Sequence, residues 1–217
     1  MRIGITNLKG GVGKTTLSIN LAVCFAHMGY KVCIADTDAN QSSLAWYGVR
    51  EDSPHNVTVV GTTEPKALIK AVTELHRSYD IVIMDGTPNL SEMNTRIMLA
   101  SDILLVPTRP GAHDFRAMQE FMHRIEQVNE TREDGLHAYF VVNEYDEHLV
   151  LHRTVKKSLE EFNIPILKNM LKSRVAYGEC NLQGQGAYEG TDIKAKSEVV
   201  ALTKEVITLA EQHHFIS

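Results

Sequence analysis

The chain has 217 residues, of which 43% are hydrophobic and 23% charged, a balance typical of an ordinary globular protein. The formal net charge of -5 argues against a strongly basic nucleic-acid-binding module, although it leaves room for a local basic patch. No apolar run approaches the roughly 20 residues of a membrane span, and no linker or repeat divides the chain, so we expect a single domain over residues 1–217. Because Cys24, Cys33 and Cys180 lack C-x-x-C spacing, we expect buried reduced thiols in a cytosolic protein.

Short apolar runs alternate along the chain with longer runs of helical period. We predict strands at residues 2–6, 31–36, 57–61, 80–85, 102–108, 137–144 and 164–167. We predict helices at residues 15–28, 41–48, 64–77, 90–100, 113–129, 148–162 and 195–213. Several strand runs are nearly continuous in Val, Ile and Leu, which indicates burial on both faces. The alternation predicts an α/β fold, a mostly parallel twisted β-sheet flanked by helices on both faces, with ligands at the carboxyl ends of its strands.

A polar, glycine-rich loop follows the first predicted strand and reads NLKGGVGKTT over residues 7–16. Its backbone N–H groups and the N-terminus of the next helix are suited to phosphate, and its glycines permit a close approach. Lys14 is predicted to reach the β- and γ-phosphates, Thr15 to bind Mg²⁺ and Thr16 to bond the α-phosphate. The other predicted phosphate-binding residues are Gly10, Gly11, Val12 and Gly13. The alternative is a tight glycine turn without a ligand.

The loop departs from the strict pattern G-x-x-x-x-G-K-[ST], because Leu8 stands at the position of the first glycine. The segment KGGVGKTT, with Lys9 ahead of the glycines, resembles the deviant Walker A motif of the ParA/MinD/Soj family of P-loop ATPases, closest to its small ParF-like members. The resemblance implies a P-loop NTPase fold, weak Mg²⁺-dependent ATP hydrolysis that a partner stimulates, and an ATP-dependent homodimer. It also implies that Lys9 contacts the ATP of the other subunit, while Lys14 serves its own. A solvated loop lysine is the alternative for Lys9.

Carboxylates end the second and fourth predicted strands, in IADTD and DIVIMD. The resemblance implies that Asp38 positions the attacking water and that Asp36 supports the Mg²⁺ shell. The alternative for both is that they cap the following helix. Residues 39–41 read Ala-Asn-Gln where relatives usually have Pro-Gln, which leaves the alignment of this loop open. Asp85 ends an apolar strand in the Walker B arrangement and is predicted to hold Mg²⁺, and the DGTP that it begins resembles switch II.

Segments beyond residue 100 match the family more loosely. VPTRPGAHDF at residues 106–115 resembles a stretch that lines the dimer interface in relatives, and a plain strand-to-helix connection is the alternative. Asn143, in FVVNEYD, is by resemblance a candidate contact for adenine. The segment 172–190 resembles a late loop that often closes over the base.

Three functions agree with this resemblance. The first is a ParA-type ATPase for DNA segregation, plasmid partition or cargo positioning, whose ATP-bound dimer binds nonspecific DNA and releases it after hydrolysis stimulated by a ParB-type partner. The alternatives are a MinD-like membrane-cycling ATPase and a metabolic P-loop enzyme of the same superfamily. The ending ALTKEVITLAEQHHFIS has one lysine against two glutamates, which disfavours a membrane partner. We therefore expect a cytoplasmic protein that associates with the nucleoid in its ATP-bound state.

Binding to DNA requires basic side chains, and the later part of the chain supplies them. The candidates are Lys156, Lys157, Lys168, Lys172 and Arg174. A solvated helix face is the alternative for each of them. Contacts with DNA phosphates would give binding that falls steeply with salt and depends little on sequence. Because the glycine loop starts at residue 7, we expect neither a signal peptide nor a preceding helix-turn-helix extension.

Overall fold

The computed structural model describes residues 1–88, 91–109, 115–146, 148 and 157–216. Within these ranges six strands form one sheet: β1 (Arg2–Ile5), β2 (Val32–Asp36), β3 (Val57–Gly61), β4 (Ile81–Asp85), β5 (Ile103–Thr108) and β6 (His137–Val142). Their order is β3-β2-β4-β1-β5-β6, and every neighbouring pair is parallel. The predicted α/β class with a parallel sheet is confirmed.

Helices cover both faces of this sheet. They are α1 (Lys14–His27), α2 (Ser42–Val49), α3 (Pro65–His76), α4 (Glu92–Ala100), α5 (Phe115–Thr131), α6 (Val175–Leu182) and α7 (Ile193–Gln212). One hydrophobic core lies beneath α1 and α7 and includes Phe25 and Leu202. A second core lies beneath α3, α4 and α5 and includes Leu68 and Phe121. Because both faces are covered, every residue of β2 and β4 is buried, as their continuous apolar runs predict.

The strand register places the functional segments at one edge of the sheet. Asp36 of β2 pairs with Asp85 of β4, and Ile5 of β1 pairs with the same Asp85. Because all strands are parallel, the loops after β1, β2 and β4 emerge side by side. Gly86 continues this edge, and a Cβ at this position would lie 2.6 Å from the carbonyl oxygen of Ile5, so the close approach of these two loops requires glycine.

Two predicted elements differ from the structure, and a third lies mostly outside the described residues. Residues 164–167 do not form a strand; Ile166 makes an isolated bridge to Phe140, and Pro165 lacks the N–H that would extend the ladder. The segment 172–190, predicted as a loop, contains the helix α6, whose central Gly178 and glycine-rich flank conceal a helical pattern. Of the predicted helix at 148–162, residues 157–160 are helical, and most of its first half lies outside the described residues.

The three cysteines are free and buried, as expected from their spacing. Burial raises the pKa of the Cys33 thiol to about 12, so this side chain behaves as part of the core and not as a nucleophile. Across the described ranges, no helix combines the length and the apolar character of a membrane span.

Candidate nucleotide-binding site

The loop between β1 and α1, here called the P-loop (residues 7–16), leads into the N-terminus of α1, where backbone N–H groups are available to a ligand. Gly11 and Gly13 have φ angles of 71° and 86°, in the left-handed region that glycine adopts without strain. Gly13 is the N-cap of α1 and has no side chain with which to cap it, and the first turn of α1 holds no acidic residue. The first N–H groups of the helix therefore point toward the loop at the positive end of the helix dipole, which is an environment that fits a phosphate group.

Lys14 lies inside the P-loop and is only 7% exposed. Its Nζ donates hydrogen bonds to the carbonyl oxygens of Lys9 at 2.8 Å and of Asn7 at 3.3 Å. Burial lowers the pKa of the Lys14 ammonium, and the carboxylates of Asp85 and Asp38 oppose this shift. Because a desolvated ammonium interacts more strongly with an anion than a solvated one does, Lys14 is suited to bind phosphate from this position.

Lys9 has different surroundings from Lys14, since it is exposed on the outer part of the P-loop. Its backbone N–H donates to Oδ1 of Asn7 at 3.1 Å. In turn Nδ2 of Asn7 donates to the carbonyl oxygen of Pro107 in β5 at 2.8 Å. The backbone of the loop is thus tied to the sheet, while the side chain of Lys9 stands at the surface, where it can meet a second molecule.

Asp85, the last residue of β4, is 1% exposed and is surrounded by hydroxyl groups. Ser43 donates to its Oδ2 at 2.7 Å, Ser18 donates to its Oδ1 at 3.0 Å, and the hydroxyl of Thr15 also donates to this carboxyl. Burial raises the pKa of Asp85 to about 6, although the hydroxyls lower it, and the neighbouring Asp36 adds to the rise. An ionised carboxylate in this position would gain from a cation close to it.

Ser18 and Ser43 are site residues that the sequence patterns do not single out. Ser18 follows Lys14 by one helical turn, and its Oγ also lies 2.9 Å from the Lys14 carbonyl oxygen. The available signal for it was a hydroxyl within the buried and mostly apolar stretch of α1 that also holds Asn20. Ser43 gives no local signal, because it reaches Asp85 from α2 and only the tertiary fold brings the two together.

Asp36, at the end of β2, is fully buried and organises the loop that follows it. Its Oδ1 accepts the N–H of Asp38 at 3.1 Å, and its Oδ2 accepts the N–H of Leu44 at 3.0 Å. The second bond caps the first turn of α2, in agreement with the helix-capping alternative. Burial raises the pKa of Asp36, while these N–H groups lower it. A role for Asp36 in the Mg²⁺ shell stays a prediction.

Asp38 is half-buried at the start of a tight turn over residues 38–41. Its Oδ1 accepts the N–H of Asn40 at 2.9 Å, and its carbonyl oxygen accepts the N–H of Gln41 at 3.0 Å. This turn forms without a proline, and Gln41 becomes the N-cap of α2 with a φ angle of 51°. Asp38 remains close enough to Lys14 for its charge to influence the pKa of that ammonium.

The donors beside the P-loop suit a hard cation. Asp85 offers a buried carboxylate and Thr15 offers a hydroxyl, and Mg²⁺ is usually held by one or two carboxylates together with phosphate oxygens. No group of three or more His, Cys, Asp and Glu side chains that could hold a metal occurs within the described ranges. In a nucleotide site, phosphate oxygens would supply further ligands to a Mg²⁺ ion held there.

A cavity of about 360 Å³ opens beside the P-loop, and its lining includes Gly13, Thr16, Asn143 and residues 171–175. Asn143 is 3% exposed, and its Nδ2 donates to the carbonyl oxygen of Val12 at 3.0 Å. The Oδ1 of Asn143 is buried and has no hydrogen-bond partner in the described structure. A buried acceptor of this kind fits the amino group of adenine, so the cavity is suited to a nucleobase.

The sequence profile of the CobQ/CobB/MinD/ParA nucleotide binding domain matches residues 3–187. The chain belongs to this family. The family assignment confirms the resemblance read from the P-loop, and with it an ATPase that uses ATP and Mg²⁺. The roles assigned to individual residues stay predictions, although the structure brings the principal candidates together: Lys14, Thr15, Asp36, Asp38 and Asp85.

Named relatives match between 73% and 98% of the chain. Maintenance of carboxysome distribution protein A from Halothiobacillus neapolitanus is 26% identical over 211 residues, which cover 94% of this chain and 95% of that protein. The chromosome-partitioning ATPase Soj from Thermus thermophilus is 27% identical over 188 residues, with 73% and 75% covered. The septum site-determining protein MinD from Pyrococcus horikoshii, solved with Mg-ADP, has a TM-score of 0.78 at 21% identity and 98% coverage of both chains, which shows a shared fold.

The structure separates the basic residues predicted to contact DNA. Lys156 lies outside the described residues, whereas Lys157 and Lys168 are exposed. Lys172 and Arg174 both line the cavity beside the P-loop. The guanidinium of Arg174 forms an ion pair with Glu198 of α7 at 2.6 Å, so part of its hydrogen-bonding capacity serves the fold. Contact with DNA stays a prediction for all five residues.

We expect Asn143→Ala to weaken ATP binding about tenfold and to reduce the preference for ATP over GTP. The reason is that Asn143 lines the cavity and its Oδ1 is a buried acceptor without a partner in the described structure, whereas guanine would present an oxygen where adenine presents an amino group. Competition of ATP and GTP against a fluorescent ADP measures both quantities. An unchanged ratio of the two affinities would place base recognition elsewhere in the cavity.

Proposed function

We propose that this protein is a ParA-type ATPase that segregates DNA or positions a cargo through an ATP-dependent homodimer that binds nonspecific DNA. The observation that carries the proposal is the contrast between the two P-loop lysines, because Lys14 is buried in its own loop and Lys9 is exposed at its rim. An exposed lysine beside a phosphate site is what a nucleotide shared by two subunits requires. The names of two relatives, for carboxysome distribution and chromosome partitioning, support a positioning role.

Each residue of the nucleotide site has its own role in the proposed hydrolysis. Lys14 and the P-loop N–H groups bind the phosphates of the chain's own nucleotide. Thr15 and Asp85 would hold Mg²⁺, which would supply positive charge against the phosphate oxygens. Asp38 positions the attacking water, and Lys9 of a second copy stabilises the charge that develops on the γ-phosphate, as an arginine finger does. Because Lys9 acts in the other subunit, ATP binding and dimerisation favour each other.

DNA is a better partner for this chain than a membrane. Leu202 and Val206 of α7 are fully buried in the core, so the apolar face of this last helix is occupied by packing. The protein would be cytoplasmic, and its ATP-bound dimer would bind the nucleoid through exposed lysines such as Lys168. A ParB-type partner that stimulates hydrolysis would then release it from DNA.

Binding to nonspecific DNA with ATP, with ADP and without nucleotide tests the proposal. We expect binding with ATP alone, with an affinity that falls steeply between low and physiological salt. We expect Lys168→Ala to weaken this binding equally for all DNA sequences and to reduce the slope of log K against log salt by about 1. The measurement is a fluorescence-anisotropy titration with two unrelated duplexes at several salt concentrations.

Lys70→Ala is the matched control, because Lys70 is also an exposed lysine but belongs to α3, on the face of the sheet opposite to α7. This variant should bind DNA as the wild type does. Equal DNA binding with ADP and ATP would exclude a nucleotide-switched DNA cycle. ATP-dependent binding to anionic vesicles in place of DNA would favour the membrane-cycling function.

A further inference from the structure

Side chains from two neighbouring strand ends hold two consecutive carbonyl groups of the P-loop. Nη1 of Arg109, directly after β5, donates to the carbonyl oxygen of Gly11 at 3.1 Å. Nδ2 of Asn143, directly after β6, donates to the carbonyl oxygen of Val12 at 3.0 Å. The loop is therefore held at two adjacent peptide groups by residues far from it in sequence.

The geometry of the peptide bond gives these two contacts a consequence for phosphate binding. In a planar trans peptide, the C=O of one residue and the N–H of the next point in opposite directions. Holding the carbonyl of Gly11 thus fixes the N–H of Val12, and holding the carbonyl of Val12 fixes the N–H of Gly13. Gly11 and Gly13 both have positive φ angles, and glycine permits many other backbone conformations, so the orientation of these N–H groups needs external support.

Glu144 fixes the guanidinium of Arg109. The Nη2 of Arg109 lies 2.5 Å from Oε2 of Glu144, and Glu144 has a φ angle of 52° in the left-handed region, where a residue other than glycine is uncommon. The two side chains are 44% and 43% exposed, and ion pairs at such exposed positions contribute little to stability. The ion pair is therefore better explained by its fixing of the Arg109 guanidinium at the P-loop than by a contribution to stability.

We propose that Arg109 is a positioning residue of the nucleotide site, which, fixed by Glu144 and together with Asn143, sets the P-loop N–H groups for the phosphates common to ADP and ATP. Two N–H groups of its guanidinium bond to Gly11 and Glu144, so in this arrangement Arg109 acts on the backbone of the loop. Preorganised donors of this kind increase affinity because less reorganisation accompanies binding. The proposal rests on nucleotide binding and is independent of DNA, cargo and dimerisation.

The test measures the affinities of Arg109→Ala for ADP and for ATP by fluorescent-nucleotide titration, without DNA. We expect both affinities to fall by about the same factor, about tenfold, and KM for ATP to rise while kcat changes less than about twofold. Arg109→Lys, which retains a donor and a charge but not the fork, should recover part of the affinity. The unfolding temperature of the nucleotide-free variant should remain near that of the wild type.

Arg77→Ala is the control, because Arg77 also forms an exposed ion pair, with Glu74 at the end of α3. The nucleotide affinity of this variant should equal that of the wild type. Glu144→Ala is the second variant, which keeps the test informative if Arg109→Ala fails to fold. It should lower the affinities for ADP and ATP by about threefold. Wild-type affinity in both Arg109→Ala and Glu144→Ala would overturn the proposal. A loss confined to ATP would overturn it as well, because Arg109 would then act on the γ-phosphate.

Discussion

Lys14→Ala is expected to lower the affinity for both ADP and ATP by about a hundredfold or more and to abolish hydrolysis. Lys14 is a nearly buried ammonium whose Nζ is held by the carbonyl oxygens of Lys9 and Asn7, at the centre of the loop that would receive the phosphates. Losing a charge-assisted hydrogen bond in a partly desolvated site costs about 3 kcal/mol, which corresponds to a factor of about a hundred. Titration calorimetry with ADP and with a slowly hydrolysed ATP analogue measures the loss.

Lys9→Ala is the matched control for Lys14→Ala, because both variants remove one lysine from the same loop. The exposed Lys9 is proposed to act on the nucleotide of a second copy, so the variant should bind ADP with wild-type affinity. It should lose hydrolysis and the ATP-dependent dimer, which light scattering detects. If Lys9→Ala dimerises with ATP and hydrolyses it normally, Lys9 has no role across the interface. If Lys14→Ala retains ADP affinity, the phosphates do not bind in this loop.

The carboxylates that end buried strands could be predicted from the sequence. A buried parallel strand ends at a known edge of the sheet, so the positions of Asp36 and Asp85 required only the strand pattern. The P-loop was readable for a different reason, since its function depends on consecutive residues with special backbone angles. In both cases the information is local in sequence, and the tertiary structure adds only the distances.

The remaining parts of the site depend on contacts between distant segments. Ser43 reaches Asp85 from α2, and Arg109 reaches Gly11 from the end of β5, and neither belongs to a pattern of spacing. Residues 164–167 and the helix α6 were hard to predict because their local sequence patterns are misleading. Gly178 weakens the helical pattern of α6, and Pro165 interrupts an apolar run that otherwise resembles a strand. Tertiary contacts decide both segments, because α6 packs against α1 and α2 and Ile166 pairs with Phe140 of the sheet.

Asp85→Asn is expected to abolish Mg²⁺-dependent hydrolysis and also to stabilise the nucleotide-free protein at pH 7. Burial raises the pKa of Asp85 to about 6 from 3.8, so ionisation of this carboxyl at neutral pH opposes folding. A shift of this size corresponds to about 3 kcal/mol, and after the loss of the hydroxyl hydrogen bonds to an ionised group we expect a gain of about 1 to 3 kcal/mol in the free energy of unfolding. Urea unfolding in EDTA measures it. A gain in stability with a loss of activity is the pattern of a residue retained for function.

The pH dependence distinguishes this cause from a general packing effect. Between pH 4 and 6 the folded wild type binds more protons than the unfolded chain, because the pKa of Asp85 is higher in the folded state. The contribution of Asp85 to stability is therefore complete at low pH and is lost as the pH rises through this window, so the advantage of Asp85→Asn should grow from pH 5 to pH 7. Asp102→Asn, at a buried carboxylate that pairs with Arg2, is the control and should destabilise the protein. An advantage of Asp85→Asn that does not change with pH would show that ionisation of Asp85 is not its source.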